Sequence, residues 1–398
     1  MTGVASNPSD GNRSIRSRDR PRILLAPCGF KEGLTVLELI DCMAEGVARA
    51  APEAEILRAP MVDGGEGFTR TLVELSGGSL HDVPVTGPVG QPLLASVGML
   101  GGPHKGAAVI EIAAAAGLRH VPPSMRDPCT TTSYGVGQLI AAALDRNVER
   151  LLIGCGDSGV NDAGSGLAEA LGVRLLDHAG TPIGRGGRAL ARCARIDMTS
   201  RDPRLENISI DVAVNWSNRL LGPDGVARKF GPQKGASPRD IADLELGLET
   251  FAATLERELG IHVRDMDGAG ASGGLGAGLH AFVDAHLMPR FDVIARFMDF
   301  DALLSRADLV LTAEGQIDQL TVLGKMPAEI AKRAQRRGIP VIALVGAGAE
   351  ATHAVGISAY FSVLNGPYSL EQALTRAPDL VSEATEQAVR CALIRCAG

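Results

Sequence analysis

With 398 residues, 45% hydrophobic and 21% charged, the chain can bury a large core, and its composition is that of a globular protein with two domains. A net charge of −7 and only 3% aromatic residues argue against a nucleic-acid partner, and no apolar run reaches the ~18 residues of a membrane span. Seven cysteines with no C-x-x-C pair point to reduced thiols and a cytoplasmic protein rather than to disulfides or a zinc site.

Residues 1–20 are rich in Ser, Arg, Asn and Asp without an apolar stretch, and are expected to form a disordered tail. From Pro21 the pattern is α/β: ILLAP (23–27) predicts a buried strand, residues 35–50 a helix, and EILRAPMV (55–62) a second strand. The far end repeats the theme, with strands at 307–314, 340–346 and 359–364, a helix at 327–338 closed by Gly338, and one final helix over 369–395. Two or three parallel strands do not make a stable covered sheet. The two ends are therefore expected to share one doubly wound sheet, residues 21–70 with 290–398, around an inserted α/β domain at 71–289.

The stretch LLIGCGDSGVNDAGSGLAEALGVRLLD (151–177) has the outline of a dinucleotide fingerprint: Gly154, Gly156 and Gly159 after an apolar run, and Asp177 about 20 residues on. Other loops compete with it. MVDGGEG (61–67) follows a strand and sets Asp63 and Glu66 among glycines, where carboxylates suit Mg²⁺ or an ammonium group and amides suit an anion. A solvated tight turn explains the same residues equally well. Lys234, Gly-flanked in FGPQKGAS, can reach a phosphate or simply be solvated. DGAGASGGLGAGLHAF (267–282) runs glycines into a helix whose first turn is open to an anion. AEGQIDQLTVLGKMPAEI (313–330) places Glu314, Asp318 and Lys325 after a strand, where open α/β sheets bind ligands. No G-x-x-x-x-G-K-[ST] occurs, so a P-loop is absent, and the eight histidines show no metal spacing.

Taken in order, GFKEGL (29–34), DGGEG (63–67), IEIAAAAGL (110–118), TTTSYGVGQLI (130–140), the ND of GVNDAG (159–164), FGPQKGA (230–236), GAGASGGLGAG (268–278) and EGQIDQLTVLGK (314–325) resemble the glycerate kinase family that makes 2-phosphoglycerate. The resemblance implies a flavodoxin-like domain from both chain ends with a second domain inserted, ATP and Mg²⁺ as donor and cofactor, and a small hydroxylated acceptor. Self-association as a homodimer is left open. In the family the 154–164 region is an active-site loop, which sets the dinucleotide reading aside.

Residue by residue, the resemblance implies that Lys31, Asp63, Asp162 and Asn215 carry the chemistry, with Lys31 and Asp162 orienting the acceptor. Glu66, Gly156, Ser158, Lys234, Gly273, Gly274 and Lys325 would bind ATP and substrate, the two lysines neutralising phosphate. Glu314 and Asp318 would hold the metal, Asp63 and Glu66 being alternatives for metal or acceptor. The chain departs from the family pattern inside these loops: Cys28 opens a block that usually begins Asp-Ser, Asp157 replaces a glycine, Asn215 an aspartate, Gln316 an arginine and Leu320 a glutamine. Two explanations follow, a kinase whose acceptor pocket is recut, or a member that binds nucleotide or metabolite without turnover. The retained acids and lysines favour the kinase, because phosphoryl transfer rests mainly on positioning and charge neutralisation.

Overall fold

The apolar run after Pro21 forms β1 (Arg22–Leu25), and Thr35 starts α1 (Val36–Ala50). The Thr35 hydroxyl accepts the Glu38 amide while the Glu38 carboxylate accepts the Thr35 amide, satisfying donors that a helix start leaves without acceptors. Leu39, Ile40, Met43 and Val47 make the buried stripe of α1. β2 (Glu55–Arg58) pairs in parallel with β1 and is shorter than the run 55–62 suggests. Pro60 has no amide for a ladder, although the Ala59 and Met61 amides still donate to Leu25 O and Pro27 O at 2.8 and 2.9 Å. The computed structural model describes residues 20–30, 33–317, 326–348 and 355–394, so the expected tail lies outside the described residues.

The chain divides into two units, Met1–Val62 with Ile294–Gly398, and Asp63–Val293. The second contains α2 (Phe68–Ser76), the antiparallel pair β3 (Ser79–Thr86) and β4 (Pro92–Met99), then β5 (Ala107–Glu111), α3 (Ala113–Ala116), α4 (Tyr134–Leu144), β6 (Arg150–Gly154) and α5 (Ser165–Ala170). A small antiparallel pair, β7 (Arg174–Leu176) and β8 (Arg195–Asp197), precedes β9 (Ser209–Val214), α6 (Val226–Phe230), α7 (Pro238–Leu259), α8 (Ala271–Val283) and β10 (His286–Pro289). The six-stranded sheet runs β10-β9-β6-β5-β4-β3, with β5, β6, β9 and β10 parallel. Ile110, Ile153 and Val212 of the sheet pack with Val136, Leu139 and Ile140 of α4 and with Leu275 and Leu279 of α8. Leu244, Leu248, Phe251 and Leu255 of α7 build a second core with Leu190 and Phe282.

The chain then returns through α9 (Arg290–Phe297), α10 (Phe300–Arg306), β11 (Leu309–Gln316), α11 (Met326–Gln335), β12 (Val341–Ala347) and β13 (Ala359–Ser362). All five strands of the terminal unit are parallel in the order β2-β1-β11-β12-β13. Counted within the unit this is 2-1-3-4-5, the flavodoxin-like order, whose ligand-binding switch point lies at the carboxyl ends of its first and third strands. The final helix is two, α12 (Leu370–Thr375) and α13 (Ala377–Leu393). Pro378 supplies no amide and its ring crowds the preceding turn, so it opens a new helix instead of continuing one. Among the described residues no helix is long and apolar enough to cross a membrane.

Candidate active site

In the unit Asp63–Val293 the candidate loops gather at the carboxyl ends of the parallel strands. Gly64 has φ 83°, and a Cβ there would sit 3.2 Å from both Ala213 O, near the end of β9, and Cys155 N, just after β6. The DGGEG loop therefore lies directly on those two strand ends. Gly156 packs equally close, since a Cβ there would lie 2.9 Å from Gly65 Cα. Glu111, at the end of β5, accepts the Gly67 and Thr69 amides at 3.3 and 2.9 Å. A carboxylate thus sits at the start of α2, where helix amides lack partners and a negative charge is favoured. Burial nevertheless pushes the Glu111 pKa up. These bonds attach the 63–67 loop and α2 to the inserted sheet, whereas the sequence reading grouped residues up to 70 with the terminal unit.

The two acids of the loop stay half exposed. Asp63 accepts the Gly65 amide at 3.1 Å and faces Arg290 at 3.8 Å. Glu66 pairs with Arg119 at 3.2 Å, and its amide donates to Asp157 at 3.1 Å. Asp157 takes φ 49°, a left-handed conformation that suits the glycine usual at this place and that Asp adopts at some cost. Arg119, Arg290 and Glu111 were missed in the sequence. Only the block IEIAAAAGL pointed near Glu111, and nothing pointed to the arginines.

Beneath this layer the polar groups face inward. Asp162 is wholly buried and accepts the Ser133 amide (2.8 Å), the Ser133 hydroxyl (2.9 Å), the Gly164 amide (3.2 Å) and the Gly166 amide (3.3 Å). It fastens the starts of α4 and α5 to the 155–164 loop, and desolvation raises its pKa against those bonds. This geometry does not match the expected acceptor-orienting role, because the carboxylate is closed off by its own loop. Lys234 is 3% exposed and donates to Val160 O at 2.6 Å and Ser158 Oγ at 3.1 Å. Desolvation lowers its pKa to about 8, partly opposed by the charge of Asp162. Burial drives the neighbouring Cys155 thiol up to about 12, so it is no nucleophile.

Ser272, Gly273 and Gly274 turn left-handed in succession at the start of α8, with φ 52°, 77° and 89°. Gly273 and Gly274 are buried, and a Cβ on Gly274 would press to 3.0 Å from Ala163 Cα, so both pack against the 160–163 segment. Asn215 follows β9, and its side-chain oxygen accepts the Ser217 amide at 3.3 Å and hydroxyl at 3.0 Å, closing its own turn. No helix opens at Gly154–Gly159: residues 155–164 form a loop before α5, and Asp177 caps a local turn by accepting the Ala179 and Thr181 amides, each at 2.9 Å. The dinucleotide arrangement is therefore absent here.

In the terminal unit, Gly29 bridges to Glu314 and the Cys28 amide donates to Ala313 O at 2.9 Å, so the loop after β1 lies beside the end of β11 at the switch point. Lys31, Asp318 and Lys325 lie outside the described residues.

This donor set fits a magnesium nucleotide. Asp63 and Glu66 offer hard oxygen ligands with solvent access, and Mg²⁺ commonly takes one or two carboxylates and completes its shell with phosphate and water. Glycine-rich backbone suits phosphate, whereas the Lys234 ammonium, expected to meet phosphate directly, is turned inward and holds the loop from below through Val160 O and Ser158 Oγ.

The family model for the glycerate kinase family matches residues 23–393. A glycerate kinase of Halalkalibacterium halodurans is 44% identical over 365 residues, spanning 91% of this chain and 96% of that protein. The glycerate 2-kinase of Escherichia coli is 38% identical over 92% of this chain and 96% of its own. The crystal structure of a Salmonella typhimurium LT2 protein assigned as glycerate kinase 2 superimposes with a TM-score of 0.81 at 40% identity, covering 94% of this chain and 98% of that one.

Proposed function

Because this chain belongs to the glycerate kinase family, we propose that it transfers the γ-phosphoryl group of ATP, as the magnesium complex, to a hydroxyl of glycerate or a closely related hydroxy acid. The observation that supports this most directly is the stacking of the two half-exposed acids, Asp63 and Glu66, over strand ends whose underlying loop is held by Lys234.

In the reaction an O–P bond forms to the acceptor hydroxyl, which loses its proton, and the bond from the γ-phosphorus to the β,γ-bridging oxygen breaks, leaving ADP. Such a transfer asks the protein for alignment and charge compensation more than covalent chemistry. Asp63 takes the hydroxyl proton, and Glu66 would help hold the magnesium ion, which would supply neutralisation of charge on the phosphates. The ammonium of Lys234 holds Ser158 and Val160, fixing the loop over which the phosphates lie and adding positive charge beneath them. Asp162 acts one step removed, by fixing that loop. In the terminal unit Glu314 lies at the switch point of its own sheet, where open α/β sheets take ligands. Asn215 and Gln316 mark where the acceptor side is tuned away from the family pattern.

An ATP-consumption assay with D-glycerate and a panel of small hydroxy acids tests this, with the product's position of phosphorylation read by NMR. Turnover on glycerate or one relative is expected. Folded protein that phosphorylates none of them overturns the proposal. Glycerate turnover at the rate of the named relatives would remove the idea of a recut acceptor side.

A further inference from the structure

Several large apolar side chains remain exposed among the described residues, and most lie on outer surfaces, such as Leu94 on β4, Leu246 on α7 and Leu370 on α12. Trp216 is different. It is 41% exposed and sits on the turn that directly follows β9, at the same strand ends that carry the DGGEG loop. It is also the chain's one tryptophan.

The turn is well fixed. Asn215 closes it through the Ser217 amide and hydroxyl, the Asn218 amide returns to Asn215 O at 3.1 Å, and the Gly268 amide donates to Trp216 O at 3.0 Å. Arg219, next along, is anchored on Asp267 at 2.8 Å and on Asp265 O at 2.9 Å. A fixed backbone thus holds a partly exposed indole at these strand ends, with little ordering cost left for a ligand that covers it.

What would cover it follows from chemistry. A three-carbon hydroxy acid carries a charged or hydroxylated group on every carbon and has no apolar plane. A triphosphate has none either. Of the groups the proposed reaction brings, only the purine base has a flat, polarisable face, and aromatic stacking rewards that shape. We infer that Trp216 is the stacking platform for the base of the nucleotide. This rests on the kinase reading above and adds the residue that grips the end of the donor remote from the transferred phosphoryl.

The lone tryptophan makes the test direct. Fluorescence of the full chain is titrated separately with adenosine, ADP, tripolyphosphate and D-glycerate. Adenosine and ADP are expected to quench it saturably, while tripolyphosphate and glycerate leave it unchanged. In parallel, Trp216→Ala should raise KM for ATP about 5- to 100-fold, the range set by loss of one base–aromatic stack, with KM for the acceptor and the melting temperature unchanged. Trp216→Phe should restore KM to within a few-fold of the wild-type value. Absence of quenching by adenosine, quenching by glycerate or tripolyphosphate instead, or an unchanged KM in Trp216→Ala would each overturn the inference. Those outcomes with wild-type turnover intact leave the kinase reading standing. Adenosine quenching without any turnover would defeat the kinase reading alone.

Discussion

Two layers of the same strand-end region behave differently. The inner one, Asp162, Lys234 and Glu111, is buried and hydrogen-bonded to the loops it supports, with burial working against each charge. The outer one, Asp63, Glu66 and Asn215, is partly exposed and held by one or two contacts apiece. Residues that look alike as motif letters are therefore asked for different things: the inner layer sets where the loops stand, and the outer layer meets what binds. Substitutions should separate the layers, because inner changes register as lost stability or lost rate and outer ones as altered kinetics in a folded protein.

The largest expected effect is at Asp162. Asp162→Ala leaves buried amides of Ser133, Gly164 and Gly166 without their acceptor, and should cost roughly 3–5 kcal/mol of stability. Urea unfolding followed by circular dichroism measures it, and an unchanged midpoint would erase the division. Next comes Lys234→Met, expected to lower kcat by about 10²-fold or more as the loop loses its ammonium support. Circular dichroism should show the protein still folded. In the outer layer, Glu66→Gln should leave the melting temperature within a few degrees while activity falls about 10- to 100-fold and the Mg²⁺ requirement rises, read from rates across a magnesium titration.

The pH profile sharpens the contrast. The folded pKa of Lys234, about 8, lies below the 10.5 of an ordinary lysine, so between these values the unfolded chain holds more protons. This group's contribution to stability therefore rises with pH over that window. Activity should move the opposite way, falling through about pH 8 as the ammonium is lost. Parallel rate and unfolding measurements on wild type and Lys234→Met would reveal these opposed trends, and a flat activity limb in wild type would count against the lysine's role. The smallest effect is expected for Asn215→Asp, since aspartate can accept the same Ser217 bonds: stability within about 0.5 kcal/mol, with the change confined to kcat/KM among acceptors.

Much of the framework was legible because it is written in local patterns. Apolar runs marked β1 and β11, and helical spacing marked α1. The poverty of strands at each chain end led to a sheet shared by both. What stayed hidden depends on partners far along the chain. The letters of Asp162 do not say which way its carboxylate turns, and that is decided by Ser133, 29 residues earlier. Glu111 holds an amide 42 residues before it. The Arg119 and Arg290 pairs with Glu66 and Asp63 have no short-range signature at all. The helix break at Pro378 was visible as a letter and under-read, because a proline within the first turn fits a new helix as readily as it spoils an old one.

The place of β1 between β2 and β11 has a consequence for biosynthesis. Its two neighbours are β2, which follows at once, and β11, whose Leu309 aligns with Ile23. A ribosome delivers the first of these strands hundreds of residues before its central partner, while every strand of the inserted unit's sheet emerges in one uninterrupted stretch. The insertion can mature during translation, but the surrounding sheet must wait with an open edge until the last third of the polypeptide arrives, and that interval is when the nascent chain is most exposed to mispairing.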